Sequence, residues 1–426
     1  MIYQKNKNAE LDVKLFENPT KEYRGAPFWA WNTTLDKDEL LWQIEQLKKM
    51  GFGGFHIHVR SGMATKYLSE EFMELVKACL EKGKQEDMLV WLYDEDRWPS
   101  GSAGGYVTSD KRLRMKMLVL TECEESCAVD EKTGIEEAKP YYLTKYDVVV
   151  DKDGKLKSYK RITNERAPIE GKLYYAYVWM YRPTGWFNGT TYLDTLSKRA
   201  VEKFADITHN AYKREVGRDF GHTIPAIFTD EPQHSEKIII SNSPDNMYAN
   251  IPWTVDFEES FSKKYGYSIL DKIPEVVWDL PGNRPSLVRY HYHNHVTDLF
   301  SEAYAGTLGA WCDENGICLS GHLMEEPTLS GQTKYVGEAM RSYPKFGIPG
   351  MDLLCNRIEL STAKQVQSVV HQYGKEGMIS ELYGVTGWDF DFRGHKFQGD
   401  WHAGLGVTVR VPHLSWVSMK GSAKRD

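Results

Sequence analysis

Two glutamates, Glu231 and Glu381, carry the strongest chemical signal in this sequence, because each closes a short apolar run, IPAIFTDEP from 224 and GMISELYG from 377. Acids at the end of buried strands that face one another can divide the labour of hydrolysis. One carboxyl group, still protonated, donates to a leaving oxygen, while the other, ionised, attacks or activates water; cleavage of a glycosidic bond needs this pair. A salt-bridged strand end gives the same pattern, so position alone leaves both readings open.

Polar residues end nearly every other apolar run as well. Trp31 and Asn32 follow the first, His56, His58 and Arg60 the second, and Asp94, Asp96, Arg97 and Trp98 the third. Asp230 precedes Glu231, His322 and Glu325 follow the fifth, Tyr383 and Trp388 the seventh, and His413 the eighth. These side chains form the expected substrate-binding set, with the Asp-, Arg-, Trp- and Gly-dense segment 92–105 suited to grip hydroxyl groups over an aromatic floor. Glu325 and Glu326 rank second for a catalytic role. His56 and His58 alternate along one strand and could join His322 in a metal cluster, but hydrogen-bonded barrel histidines are the preferred reading and no metal ligand is assigned. The run HYHNH at 291–295 falls at helical spacing with Val288, Tyr292, Val296 and Leu299, so its histidines read as helix-packed or exposed.

To bring such residues together the chain must present many strand ends on one face. Strands are expected at 26–32, 53–59, 88–94, 224–232, 317–326, 347–354, 377–384 and 407–416, with amphipathic helices between them. The helix after the first opens at Asp36 with Glu39 three residues on and an apolar face of Leu40, Ile44 and Leu47; the next opens at Ser69. Eight strands in this order predict an α/β fold, a TIM-type (β/α)8 barrel, with the active site at the strands' carboxyl ends. The fourth and seventh strands, and with them Glu231 and Glu381, then face each other across the mouth. Between 111 and 190 the pattern turns alternating and β-branched, with a DKDG turn at 151–154, and predicts a small antiparallel β insertion after strand three. The domain division is therefore a barrel from 1–110 and 191–426 around an insertion at 111–190.

A net charge of −7 argues against a nucleic-acid partner, and no Gly-rich phosphate loop follows any strand. With 13 Trp and 25 Tyr, the chain is well supplied with the flat amphipathic rings on which sugars stack. The six cysteines, Cys79, Cys123, Cys127, Cys312, Cys318 and Cys355, are scattered and read as thiols. The opening MIYQKNKNAELDVKLF lacks the apolar run of a signal peptide, and no stretch approaches a membrane span, so a cytoplasmic protein is expected.

Five segments, PFWAWN, GGFHIHVRSG, WLYDEDRWPSG, AIFTDEP and SELYGVTGWD, occur in an order that resembles the barrel of glycoside hydrolase family 106, the α-L-rhamnosidases and their relatives, over roughly residues 23 to 426. The resemblance implies hydrolysis of an α-L-rhamnosidic or similar bond with inversion, with Glu231 and Glu381 as the two catalytic carboxylates. Fold-level analogy makes Glu231 the acid and Glu381 the base or nucleophile. No cofactor is required, although calcium near the sugar is compatible with the family, and Asp94, Asp96, Glu325 and Glu326 would be its oxygen ligands here. The expected partner is an oligosaccharide or glycoside; substrate choice would rest on the loops around Trp98, Trp186 and Trp388. The sequence departs from the family by stopping at KGSAKRD, where relatives continue into a last helix and β-sandwich domains. Two competing readings are a carbohydrate-binding barrel without catalysis and a metal-dependent hydrolase built on His56 and His58.

Overall fold

The computed structural model describes residues 10–124, 140–242 and 248–423. Residues 1–9, Cys127 and the last three residues lie outside the described residues. Three parallel strands open the chain, β1 (Phe28–Trp31), β2 (Gly54–Val59) and β3 (Leu89–Tyr93). The next four, β4 (Lys116–Thr121), β5 (Tyr141–Val150), β6 (Leu156–Ile162) and β7 (Lys172–Met180), build a second sheet. The chain returns to the first sheet with β8 (Ala226–Asp230), adds β9 (Tyr248–Trp253) to the second, and completes the first with β10 (Cys318–His322), β11 (Ile348–Leu353), β12 (Ile379–Leu382), β13 (Val409–Pro412) and β14 (Ser415–Trp416).

The first sheet is parallel and nearly closed, in the order β13-β12-β11-β10-β8-β3-β2-β1-β14. It has nine strands where eight were expected, because the segment 407–416 is two short strands, β13 against β12 and β14 against β1. Backbone bonds join the edges: Ala26 N–H donates to Arg410 C=O at 2.9 Å, and Val417 N–H to Ala30 C=O at 3.0 Å.

The antiparallel sheet runs β6-β5-β7-β4-β9. Its edge strand β9 pairs with β4 and lies outside the segment expected to be β-rich. Its Pro252 has no N–H to give a ladder, which weakens the strand signal and suits an edge.

Helices form where spacing and caps dictate. Asp36 accepts from Glu39 N–H at 2.9 Å and starts the helix Lys37–Lys49, which buries Leu40, Ile44 and Leu47. Ser69 accepts from Phe72 N–H at 3.2 Å and starts Glu70–Gln85, whose buried stripe includes Phe72, Leu75, Val76, Cys79 and Leu80. The histidines of HYHNH lie on the helix Leu287–Phe300 and turn to different partners: His291 to Tyr267, His293 to Lys237 and His295 to Ser260.

Strand alternation divides the apolar residues into two cores. One lies inside the parallel sheet and holds Phe28, Trp91, Tyr93, Phe228, Ile348, Ile379, Val409 and Val411. The other lies between strands and helices and holds Trp29, Trp31, Phe55, Ile57, Leu92 and Ile227. Among the described residues no helix is long and apolar enough to cross a membrane.

Candidate active site

On β8, β11 and β12 the inward stripe runs from apolar to polar as it nears the carboxyl end. Ala226, Phe228 and Asp230 share one parity on β8, Ile348, Gly350 and Asp352 on β11, and Ile379 and Glu381 on β12; His322 ends β10 and His413 follows β13. The same period that packs the interior therefore places three acids and two imidazoles at its top. Glu231 arrives differently. As the residue after Asp230 it would face the helices, but its backbone adopts φ +47°, in the left-handed region that a glutamate seldom occupies, and this turn puts it on the cleft.

The cleft holds about 400 Å³ and is lined by Asp230, Glu231, Asp352 and Glu381 together with Arg60, Ser61, Arg97, Trp98, Asn188, Leu354, Val385 and His413. His322 is buried among the acids: its Nε2 lies 3.0 Å from Asp230 Oδ1 and 3.7 Å from Glu381 Oε2. Polar atoms of Asp230, His322 and Glu381 lie within 4.8 Å of one another, as do those of Glu231, His322 and Asp352. Glu381 Oε1 also stands 3.5 Å from His413 Nε2. Trp98 Nε1–H donates to Glu231 Oε2 at 2.6 Å, and Tyr93 O–H donates to Asp230 Oδ2 at 2.7 Å.

Four acids crowded around one imidazole cannot all ionise. Burial, followed by repulsion from Asp352, pushes Glu231 well above the ordinary carboxyl range. Burial does the same for Glu381, reinforced by Asp352 and Asp230 and opposed by His322 and Arg60. Asp352 is pushed up to about 6 by burial, with His322 opposing. For His322, burial works to lower the pKa, but its contact with Asp230 and the fields of Asp352 and Glu381 outweigh it and raise the pKa well above the ordinary value. The shifts run together: the acids favour a positive charge on His322, and burial with mutual repulsion makes the carboxyl groups hold their protons more tightly than free ones.

The loop that carries Trp98 is built around Glu95. Its buried carboxylate accepts five backbone N–H bonds, from Asp96, Gly101, Ser102, Ala103 and Gly104, at 2.6–2.8 Å. Asp94 accepts from Ser100 Oγ at 2.5 Å, and that Oγ in turn accepts from Asp230 N–H at 2.8 Å, fixing the loop to β8. From the antiparallel side, Asn188 Nδ2 donates to Trp98 C=O at 2.8 Å.

No protein-family model matches the chain, and no curated protein matches it either. Solved structures do match. The rhamnosidase from Novosphingobium sp. PP1Y is similar with a TM-score of 0.64 and 14% identity, over 96% of this chain and 57% of that one. At that identity the likeness is one of fold, and the chain spans little more than half of the matched protein.

Of the residues singled out in the sequence, Glu231, Glu381, Asp230, Arg60, Arg97, Trp98 and His413 line the cleft, and His322 touches its acids. The others lie elsewhere. Trp31, on the outward parity of β1, packs against Trp29 and Phe72. Asn32 donates to Ser418 C=O and Ala423 C=O and accepts from Ser418 N–H, which leaves no amide group for a ligand. His56 contacts Ala26 C=O at 3.0 Å and stacks on Trp91, and His58 stacks on Tyr93 at 4.2 Å; burial lowers the pKa of both. Asp94 is buried on Ser100, and Asp96, paired with Arg97, lines a separate small cavity. Tyr383 has the inward parity of β12, but its φ of +76° turns it to another cleft beside His395 and Arg410. Glu325 and Trp388 are exposed and outside the cleft lining. Asp352 and Asn188 are on the cleft and were not anticipated.

The oxygens suggested for calcium do not converge. Glu326 accepts from Leu323 N–H and Asp352 N–H, Asp94 is held by Ser100, Asp96 by Arg97, and Glu325 stands exposed. His56 and His58 belong to neither cluster of convergent donors found among the described residues. Those two clusters, Asp230–His322–Glu381 and Glu231–His322–Asp352, share one imidazole already paired with Asp230.

Proposed function

We propose that this chain is the catalytic barrel of a glycoside hydrolase acting on α-L-rhamnosidic or closely related bonds. The observation that carries the proposal is that Glu231 and Glu381 open onto one cleft in unlike surroundings. Glu231 has one oxygen on the Trp98 N–H, lies against Asp352 and is raised by burial; it is the group that retains a proton and serves as general acid. Burial raises Glu381 as well, but His322 and Arg60 oppose the rise and the Nε2 atoms of His322 and His413 flank its oxygens, so of the two it serves as the carboxylate base or nucleophile.

In the inverting course that the sequence resemblance implies, the Glu231 carboxyl transfers its proton to the glycosidic oxygen as the bond to the anomeric carbon breaks. Glu381 takes a proton from the water that attacks that carbon from the opposite face. Arg60, Arg97 and Asn188 stand on the cleft wall, where they can bind hydroxyl groups. The choice of sugar rests on the resemblance and on the structural neighbour being a rhamnosidase. In this reading β13 and β14 share the eighth position of a (β/α)8 barrel, no cofactor is required, and the free thiols of the five described cysteines suit the cytoplasm.

The test is hydrolysis of a panel of nitrophenyl glycosides that includes the α-L-rhamnoside. Wild type should cleave at least one, and Glu381→Gln should lower kcat by roughly 10²–10⁴-fold with an unchanged circular dichroism spectrum. A wild-type chain that cleaves none but binds sugars would replace this reading with a binding barrel.

A further inference from the structure

Trp186 is half exposed, at 51%, yet its ring has two fixed partners. It sits in a single helical turn, Gly185–Phe187, opened by Thr184, which accepts from Phe187 N–H. Its neighbour Phe187 is buried and stacks on Tyr192 at 4.5 Å, anchoring the turn. The indole N–H donates to Gln233 Oε1 at 3.3 Å, and the ring meets Trp98 edge to face at 4.8 Å. Trp98 in turn donates to Glu231. Gln233 follows Glu231 by two residues and is buried, with its C=O accepting from Thr195 Oγ1. One short segment after β8 therefore fixes both the acid and the orientation of an exposed aromatic ring next to it.

We infer that Trp98 and Trp186 form a leaving-group subsite for a second sugar ring. The inference rests on the glycosidase reading above and adds the class of aglycone to it. The general acid of a glycosidase stands beside the departing oxygen, so whatever that oxygen carries must lie on the Glu231 side of the cleft. There the cleft wall is Trp98, and half-exposed Trp186 packs edge to face against it just outside the lining. A flat indole with its N–H already satisfied offers a ring face and no donor, which matches the C–H face of a pyranose better than a linear alcohol. A protonated acid is needed most for a leaving group that is a poor alkoxide, such as a sugar hydroxyl. Asn188, on the same turn and on the cleft lining, adds a polar neighbour.

The decisive comparison uses two substrates that both have alkoxide leaving groups in need of an acid and differ chiefly in reach: methyl α-L-rhamnoside and a disaccharide with rhamnose linked to a second pyranose. In Trp186→Ala, kcat/KM for the disaccharide should fall roughly tenfold or more, with the methyl glycoside within about twofold, and Trp186→Phe should restore most of the loss. Equal losses on both substrates would mean that Trp186 acts only by positioning Trp98 and Glu231, and would overturn the subsite. No loss on either would overturn it too. A wild-type enzyme that cleaves neither substrate would remove the rhamnoside reading and the subsite with it, an outcome distinct from the other two.

Discussion

Glu231 meets the Trp98 indole through one oxygen, so in the proposed reaction the proton it donates would sit on the other. The benefit of that proton depends on how badly the leaving group needs it. Glu231→Gln should therefore cost little on nitrophenyl glycosides and roughly 10²–10⁴-fold on alkyl glycosides, a contrast read directly from paired kcat/KM values. Equal losses on both would assign the acid elsewhere. Asp352 makes a second prediction at this scale. Its pKa is about 6 in the fold against an ordinary 3.8, so between those values the native state binds more protons than the unfolded chain. Stability then falls as pH rises through about 4 to 6, and the penalty persists above. Asp352→Asn should flatten that slope and raise the thermal midpoint at pH 7 by a few degrees, at the expense of activity. An unchanged pH profile of the midpoint would refute it. In the sequence Asp352 precedes Leu353 and Leu354 and reads as strand interior; only its parity with Ile348 and Gly350 marks it as inward. That Glu231 and Glu381 lie on the cleft was legible because each ends an apolar run.

At the level of strands, the wall between β10 and β8 leaves no room for a side chain just before His322. A Cβ on Gly321, whose φ is +122°, would come within 1.9 Å of Thr229 C=O. Gly321→Ala should destabilise the protein by about 3 kcal/mol or more and disturb His322, seen as a lowered unfolding midpoint and an altered imidazole resonance. A midpoint unchanged by the substitution would show that the strands can part at no cost. The same alternation explains which sequence expectations strayed. Hydrophobic runs locate strands, and caps locate helices, from local spacing alone; Asp36 and Ser69 did so. Which face a strand-end residue takes depends on φ at one residue, as at Tyr383, or on a distant segment, as at Asn32, and local spacing holds neither. The division of residues 407–416 into β13 and β14 was hidden for the same reason, since it is set by which edge each half meets.

For the molecule as a whole, closure of the parallel sheet depends on a short C-terminal segment clipped to β1. Asn32 supplies much of that clip, and Asn32→Ala would leave three backbone groups without their partners. The expected cost is about 2–4 kcal/mol, with faster amide exchange at Ser418 than in wild type; exchange unaltered there would show that β14 holds without it. The Trp98 loop is organised in another way, around the buried carboxyl group of Glu95 and its five N–H donors. A ring of amides that closes on an acceptor from its own chain does not wait for a ligand to assemble it. Substrate arriving at this cleft meets a finished wall, so its association should be a single relaxation whose rate rises linearly with concentration, without the plateau that a closing lid imposes.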